Sequence, residues 1–218
     1  MIATEQQYNH VDFSHQDLSE SILTNCTFSR CNFKRANLRD AQFVNCAFIE
    51  QGEIEGCGFS YADLRDASFK DCKLAMALFN GANGFGIEFR DCDLKGANFI
   101  QTNFVNHVSH KVYFCSAYIT GCNLSYANFE KQVIEKCDLY ENRWIGANLV
   151  GASFKESDLS RGVFSEDCWE QFRIQGSDLS HSELHGLDIR RVDMTGVKIC
   201  GWQQEQLLEP LGLIVVPD

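Results

Sequence analysis

A chain of 218 residues with 19 Lys and Arg against 30 Asp and Glu has a formal charge of −11, a balance that repels nucleic acid and favours basic partners. No long apolar run or signal-peptide pattern opens it and its first eight residues are polar, so a soluble, cytoplasmic protein is expected. Eleven cysteines would suggest disulfides or a metal in a short secreted chain, but no CxxC pair occurs here.

The governing pattern is clearest in residues 62–79, ADLRDASFKDCKLAMALF, where a large apolar residue recurs every fifth position with a small residue two places before it. A step of five rotates a side chain by roughly 140° on an α-helix, so no helix buries the pattern on one face. A flat strand fails as well, because residues five apart point to opposite sides. The chain must bend within each five, and four bends of about a right angle close a coil of about 20 residues. Stacked coils pair their backbone groups at ~4.8 Å, the spacing of parallel strands. The fold predicted is an all-β, right-handed square solenoid forming one domain over residues 1–218.

In chain order, the first run of centres is Phe13, Leu18, Leu23, Phe28, Phe33, Leu38, Phe43 and Phe48, with Tyr8 in the same phase. Phe59 then follows Phe48 by eleven residues, so Ile49, Glu50, Gln51, Gly52, Glu53, Ile54, Glu55 and Gly56 leave the coil as an acidic loop. The second run is Phe59, Leu64, Phe69, Leu74, Phe79, Phe89, Leu94, Phe99 and Phe104; Gly84 is a vacant centre that Phe85 can swing in to fill. A poor coil side follows, in which Ser109 would be the centre and His107 the small residue. It marks a second, basic loop over about residues 102–113: Thr102, Asn103, Phe104, Val105, Asn106, His107, Val108, Ser109, His110, Lys111, Val112 and Tyr113.

The third run starts at Phe114 and continues through Ile119, Leu124, Phe129, Ile134, Leu139, Trp144, Leu149, Phe154, Leu159, Phe164, Trp169, Ile174, Leu179, Leu184, Ile189, Met194 and Ile199. Its small slot coarsens to Leu187, Val192 and Val197, so the coil widens or flattens there. The three runs amount to about nine coils, or about 43 Å of rod. Residues 202–208 form a short capping helix stopped by Pro210, and an apolar tail follows over 211–216. An open solenoid end must be covered. The cap and tail, about residues 200–218, therefore predict a two-fold dimer, with Trp202, Leu207, Leu208, Leu211 and Leu213 at its interface.

Cys26, Cys31, Cys46, Cys57, Cys72, Cys92, Cys122 and Cys137 all occupy the small inward slot, where a free thiol packs like alanine. Catalytic patterns are missing: GANGFG at 81–86 opens no helix, His107 and His110 have no third ligand in view, and no serine sits in a GxSxG elbow. The expectation is a protein that is not an enzyme and takes no metal or cofactor. Acids recur just before many centres, among them Asp12, Asp17, Asp63, Glu88, Asp93, Asp138, Asp158, Asp178, Glu183, Asp188 and Asp193. They read either as solvated positions that keep a repeat protein soluble or as regular charge that imitates nucleic acid. A dimer of roughly 90 Å has the length of roughly 26 base pairs.

The repeat A(D/N)LXX, the two interruptions, and stretches such as FSYADLRDASFK, FGIEFRDCDLKGANF and YFCSAYITGCNLSYANFEK resemble the quinolone-resistance (Qnr) pentapeptide-repeat proteins. That resemblance implies a right-handed quadrilateral β-helix that dimerises through its C-terminal end and binds DNA gyrase and topoisomerase IV. It also implies protection of those enzymes from fluoroquinolones, with residues 49–56 and about 102–113 as the contact loops. Protection by occupying the DNA site and protection by dislodging drug both stay open, as does an acidic scaffold for another protein partner. A left-handed hexapeptide acyltransferase counts in sixes, whereas this chain counts in fives.

Overall fold

The computed structural model describes residues 1–50, 52–109 and 112–216. Short strands β1 (Ile2–Thr4), β3 (Ile22–Thr24), β5 (Gln42–Val44), β6 (Ser68–Lys70), β7 (Ile87–Arg90) and β10 (Ala117–Thr120) stack in parallel as the first of four faces. Single bridges carry that face on through Asp138, Asp158, Asp178 and Lys198. The second face begins with β2 (Gln7–Asn9) on β4 (Thr27–Ser29) and continues through Ala47, Lys73, Asp93, Asn123, Arg143 and Val163. Asp12, Asn32, Gly58, Leu78, Asn98, Asn128 and Asn148 form the third face, and Asp17, Asn37, Asp63, Asn83 and Asn103 begin the fourth. The repeat is therefore a quadrilateral β-helix.

Register shows where the coil is interrupted. Ile2 lies beside Ile22 and Ile22 beside Gln42, a step of 20, but Gln42 lies beside Ser68 and Glu88 beside Tyr118. Six residues are thus inserted in the first loop and ten in the second. The first insertion leaves the corner between the second and third faces, the second the corner between the fourth and first. The loops project from diagonally opposite corners.

Nearly every predicted centre is buried on the axis. Phe13, Phe33, Phe59, Phe79, Phe99 and Phe129 stack coil upon coil at centroid spacings of 4.5–5.1 Å, and Phe28 stands edge-on to Phe33 at 5.5 Å. Each such pair contributes about 0.5–1.5 kcal/mol beyond the area it buries. Toward the C-terminus the widening is visible: Leu187 and Val192 are buried, whereas the centres Ile189, Met194 and Ile199 are only half-buried.

The corners follow a rule that the apolar spacing does not contain. At most corners the second residue after the centre is left-handed, as at Asn25 (φ 54°), Asp40 (φ 56°), Lys131 (φ 57°) and Gly81 (φ 67°), but not after Phe48, Phe104, Phe164, Trp169 or Ile189. For a residue other than glycine this conformation costs about 1 kcal/mol or more. It is held because the same residue's N–H bonds the next coil, Asn25 N to Val44 O at 2.9 Å and Asp40 N to Arg65 O at 3.0 Å. At Gly81 a Cβ would lie 2.6 Å from the Tyr61 ring that covers the corner, so a larger residue there would have to displace that exposed ring.

Two predicted centres are corrected. Gly84 is not filled by Phe85: Phe104, one coil on, packs so that a Cβ on Gly84 would lie 3.2 Å from its ring. Phe85 turns outward instead, edge-on to Phe114 with centroids 5.3 Å apart. Phe114 is itself exposed and is not a centre. Its position is taken by the Ala117 and Ile119 side of the coil, which continues directly from Ile87 and Phe89.

The capping helix is present as α1 (Gln204–Leu208) between 3-10 turns Gly201–Gln203 and Glu209–Leu211. Pro210 does not stop the chain there. It sits inside the second turn, and the turn ends at Gly212, which is left-handed with φ 76°.

The inward cysteines are free and buried, as is Cys168 outside that set, and burial pushes the thiols of Cys57, Cys137 and Cys168 up to about 12. Only Cys115 and Cys200 are partly exposed. Native protein at pH 8 is therefore expected to give at most two thiols to Ellman's reagent within minutes, and all eleven after unfolding in guanidinium chloride. Rapid reaction of four or more in the native state would remove the inward-slot assignment.

Candidate protein-interaction surface

The surface charge is sided. Along the first face and its two corners run Glu20, Asp40, Asp66, Asp71, Glu88, Asp91, Asp138, Glu141, Asp158 and Asp178, against the bases Lys70, Arg90, Lys136, Arg161 and Lys198, of which Arg90 bridges Glu88 and Arg161 bridges Glu141. The third face opposite is nearly neutral from Gly58 to Asn148, and the corner that follows it carries His15, Arg35 and Lys131 with no acid among them.

Several acids that precede the centres are part of the backbone design. Asp12 Oδ1 accepts from Ser14 N at 3.0 Å and from Asn32 Nδ2, one coil on, at 3.1 Å. Asp17 does the same with Ser19 N and Asn37 Nδ2, and Asp93 with Lys95 N and Asn123 Nδ2. These are Asx turns laddered along the rod. The donated hydrogen bonds from Ser14 and Ser19 hold the carboxyls of Asp12 and Asp17 below the usual range. Hydrogen bonds from Arg190, its guanidinium first, lower Asp188 to about 2. The Asp138, Asp158 and Asp178 column lacks the intervening asparagine, so like charges stack there until Lys198 closes the column.

The first loop is closed at its base by Cys57 N donating to Phe48 O at 3.2 Å. It folds back on the preceding coil: Arg30 bridges Glu53 at 2.5 Å and the Ser29 hydroxyl donates to Glu50. Glu55 and Ile54 project, the latter 79% exposed. Ile49 and Gly56 pack at the base, where Gly56 lies so close to Ala75 that a Cβ would sit 2.5 Å from its carbonyl. Gln51 lies outside the described residues.

The second loop is shorter at its start and longer at its end than the spacing suggests. Thr102, Asn103 and Phe104 belong to the rod: Thr102 donates its hydroxyl to Phe79 O at 2.9 Å, Asn103 bridges Asn83, and Phe104 is buried. The projecting part is a hairpin of β8 (Val105–His107) antiparallel to β9 (Tyr113–Cys115). Val108 and Val112 are exposed near its tip, joined by Val108 N to Val112 O at 2.9 Å; His110 and Lys111 lie outside the described residues. Tyr113 donates to Glu135 Oε2 at 2.8 Å, and that carboxylate raises the phenol above its ordinary range.

At the C-terminal end, Trp202 and Leu213 are exposed, Leu208 and Leu211 are half-buried, and Leu207 turns into the subunit's own core rather than outward. Trp202, Leu213, Ile214 and Val215 line one open groove of about 430 Å³ together with His185 and Glu205. No cluster of three His, Cys, Asp or Glu suited to a metal occurs among the described residues, and none of their helices is long and apolar enough to cross a membrane.

Apolar spacing alone does not disclose Ser29, Arg30, Phe85 or Glu135, the residues that seat the two loops. Their signal is register. Once the six- and ten-residue insertions are known, Arg30 falls on the same corner as the first loop, and Phe85 and Glu135 fall one coil either side of the second.

Comparison with known proteins agrees with this architecture. The model of the pentapeptide repeat region matches residues 2–79 and 21–99. A pentapeptide repeat protein of Vibrio parahaemolyticus, VPA0095, is 57% identical over 143 residues, 66% of each chain. The quinolone resistance pentapeptide repeat protein QnrB96 of Scandinavium goeteborgense is 47% identical over 78 residues, 36% of each. These alignments span about two thirds and about a third of the relatives' own lengths. The solved structure of full-length QnrB1, a plasmid-mediated fluoroquinolone resistance protein, superposes with a TM-score of 0.90 at 42% identity, covering 98% of this chain and 100% of that one. A four-faced coil counted in fives, interrupted by two loops and closed by a short helix, thus has the same course from end to end in both, and the chain belongs to the Qnr family of pentapeptide-repeat proteins.

Proposed function

We propose that this protein confers quinolone resistance by binding the type II topoisomerases DNA gyrase and topoisomerase IV and shielding them from fluoroquinolones, without catalysing a reaction. The observation that carries the reading is the end-to-end likeness to QnrB1. It is supported by a sided acidic rod suited to a cationic, DNA-binding surface and by two loops placed to reach beyond the rod. The acidic face acts as the DNA-like docking element and the loops as the specific contacts. The protein works in the cytoplasm, where its targets are, as a homodimer joined through the exposed apolar C-terminal segment.

Purified gyrase held at an inhibitory ciprofloxacin concentration tests this. The intact chain is expected to restore supercoiling in a titration, and a variant lacking residues 50–55 to need at least about tenfold more protein, the loss of about 1.4 kcal/mol of binding. Equal recovery by both would remove the first loop from the contact. Recovery by neither, from folded protein, would leave a scaffold for a different partner.

A further inference from the structure

The hairpin of the second loop is gripped by the rod from both sides. Side chains alternate along a strand, so Tyr113 and Cys115 of β9 reach the following coil while Phe114 reaches the preceding one. On the following coil, Glu135 takes the Tyr113 phenol proton donor at 2.8 Å with one oxygen and the Ser153 hydroxyl at 2.5 Å with the other, which fixes the carboxylate before the hairpin meets it. Cys115 Sγ lies 3.7 Å from Val133 O beside it. On the preceding coil, Phe85 stands edge-on to Phe114 at an interplanar angle of 75°. Phe85 follows the one glycine centre, and its outward ring has its aromatic partner in the hairpin.

We infer that Phe85 and Glu135 are positioning residues that hold the hairpin in a single orientation, so that its aliphatic tip at Val108 is presented ready-made to the partner. This rests on the topoisomerase reading above. Val108 is 67% exposed, although the strands below it are fixed. A free loop of this length would have to be ordered at the moment of binding, and a held one has already met that cost in the unbound protein.

The full-length variants Phe85→Ala, Glu135→Ala, Tyr113→Phe and Glu135→Gln test the inference with two readouts, hydrogen exchange of the Val108 and Phe114 amides and the protein concentration that restores drug-inhibited supercoiling. The melting temperature of the rod is expected to stay near that of the parent. Phe85→Ala and Glu135→Ala are expected to speed exchange in the hairpin by about tenfold or more and to raise the protective concentration by a similar factor. Glu135→Gln, whose carbonyl still accepts from the phenol, restores both. Unchanged exchange would overturn the seat. Faster exchange with an unchanged protective concentration would overturn the positioning role. Failure of the unaltered chain to protect gyrase would overturn the topoisomerase reading and the positioning role with it, and exchange alone would then judge the seat.

Discussion

Replacing Cys72 by arginine is expected to lower the stability of the rod by at least about 4 kcal/mol, enough to leave a domain of ordinary stability partly unfolded at 37 °C. Cys72 is buried in the inward slot, its sulfur 3.4 Å from Phe43 O and 3.3 Å from Lys70 O, in a column with Cys46 and Cys92. The column has coils directly above and below it, so an arginine would have to overpack the slot and bury a charge. The axial Phe43–Phe69 stack, with centroids 4.7 Å apart, lies alongside and would be pushed out of register. Urea unfolding is the measurement. Cys72→Ala, which keeps the slot small, should shift the midpoint only slightly. An arginine variant with the parent's midpoint would show that the slot is not enclosed.

Removing the chain from Trp202 onward is expected to be as damaging, for a different reason. Gln203 is completely buried: its Nε2 donates to Leu179 O at 2.8 Å and Ser182 O at 2.6 Å, and its Oε1 accepts from Cys200 N at 2.6 Å. Gln206 Oε1 accepts from Leu184 N at 2.8 Å, and Leu207 closes the core. Each orphaned group costs about 1–3 kcal/mol and the lost leucine about 2 kcal/mol. The truncated chain should therefore appear in light scattering as monomer or aggregate, with a melting temperature well below that of the parent. A stable species of native dimer size would contradict both the cap and the dimer assignment. Gln203→Leu separates the two roles, because it breaks the cap hydrogen bonds while leaving Trp202 and Leu213 on the surface.

The period of five was sufficient to place the axis, its aromatic stack and the thiol slots, because burial on a common axis is what forces that period. It was also sufficient to find the first loop, since six extra residues break the phase between Phe48 and Phe59. The second loop was harder for a physical reason. Its ten extra residues equal two repeats, so phase survives and Phe114 falls on a centre position that the coil does not use. For the same reason Thr102, Asn103 and Phe104 could not be told from loop residues until their partners one coil earlier were known. Phe85 departs from the spacing because a vacant centre can be filled from the adjacent coil, and Phe104 does so. The left-handed corners leave only a weak trace, glycine, asparagine and aspartate among many other residues, because inter-coil hydrogen bonds let Glu5, His10 and His15 adopt the same φ. Asp12 and Asp158 each accept from the backbone N–H two residues on, and only the asparagine one coil on distinguishes the laddered carboxylate from the unladdered one.

The diagonal placement of the loops on a stack of equal coils makes the rod a ruler. Between Phe48 and Phe104 the backbone advances by about two and a half coils, so the loop bases are offset by about 12 Å along the axis and by the full diagonal across it. The corners from Tyr61 to Gly96 are bonded to the next coil, as Met76 N is to Lys95 O at 2.8 Å, which holds the graduation stiff. The distance between the two contacts can then change only in whole coils of ~4.8 Å, without rotating either loop. A chain built this way matches two separated points on a partner by counting rather than by bending.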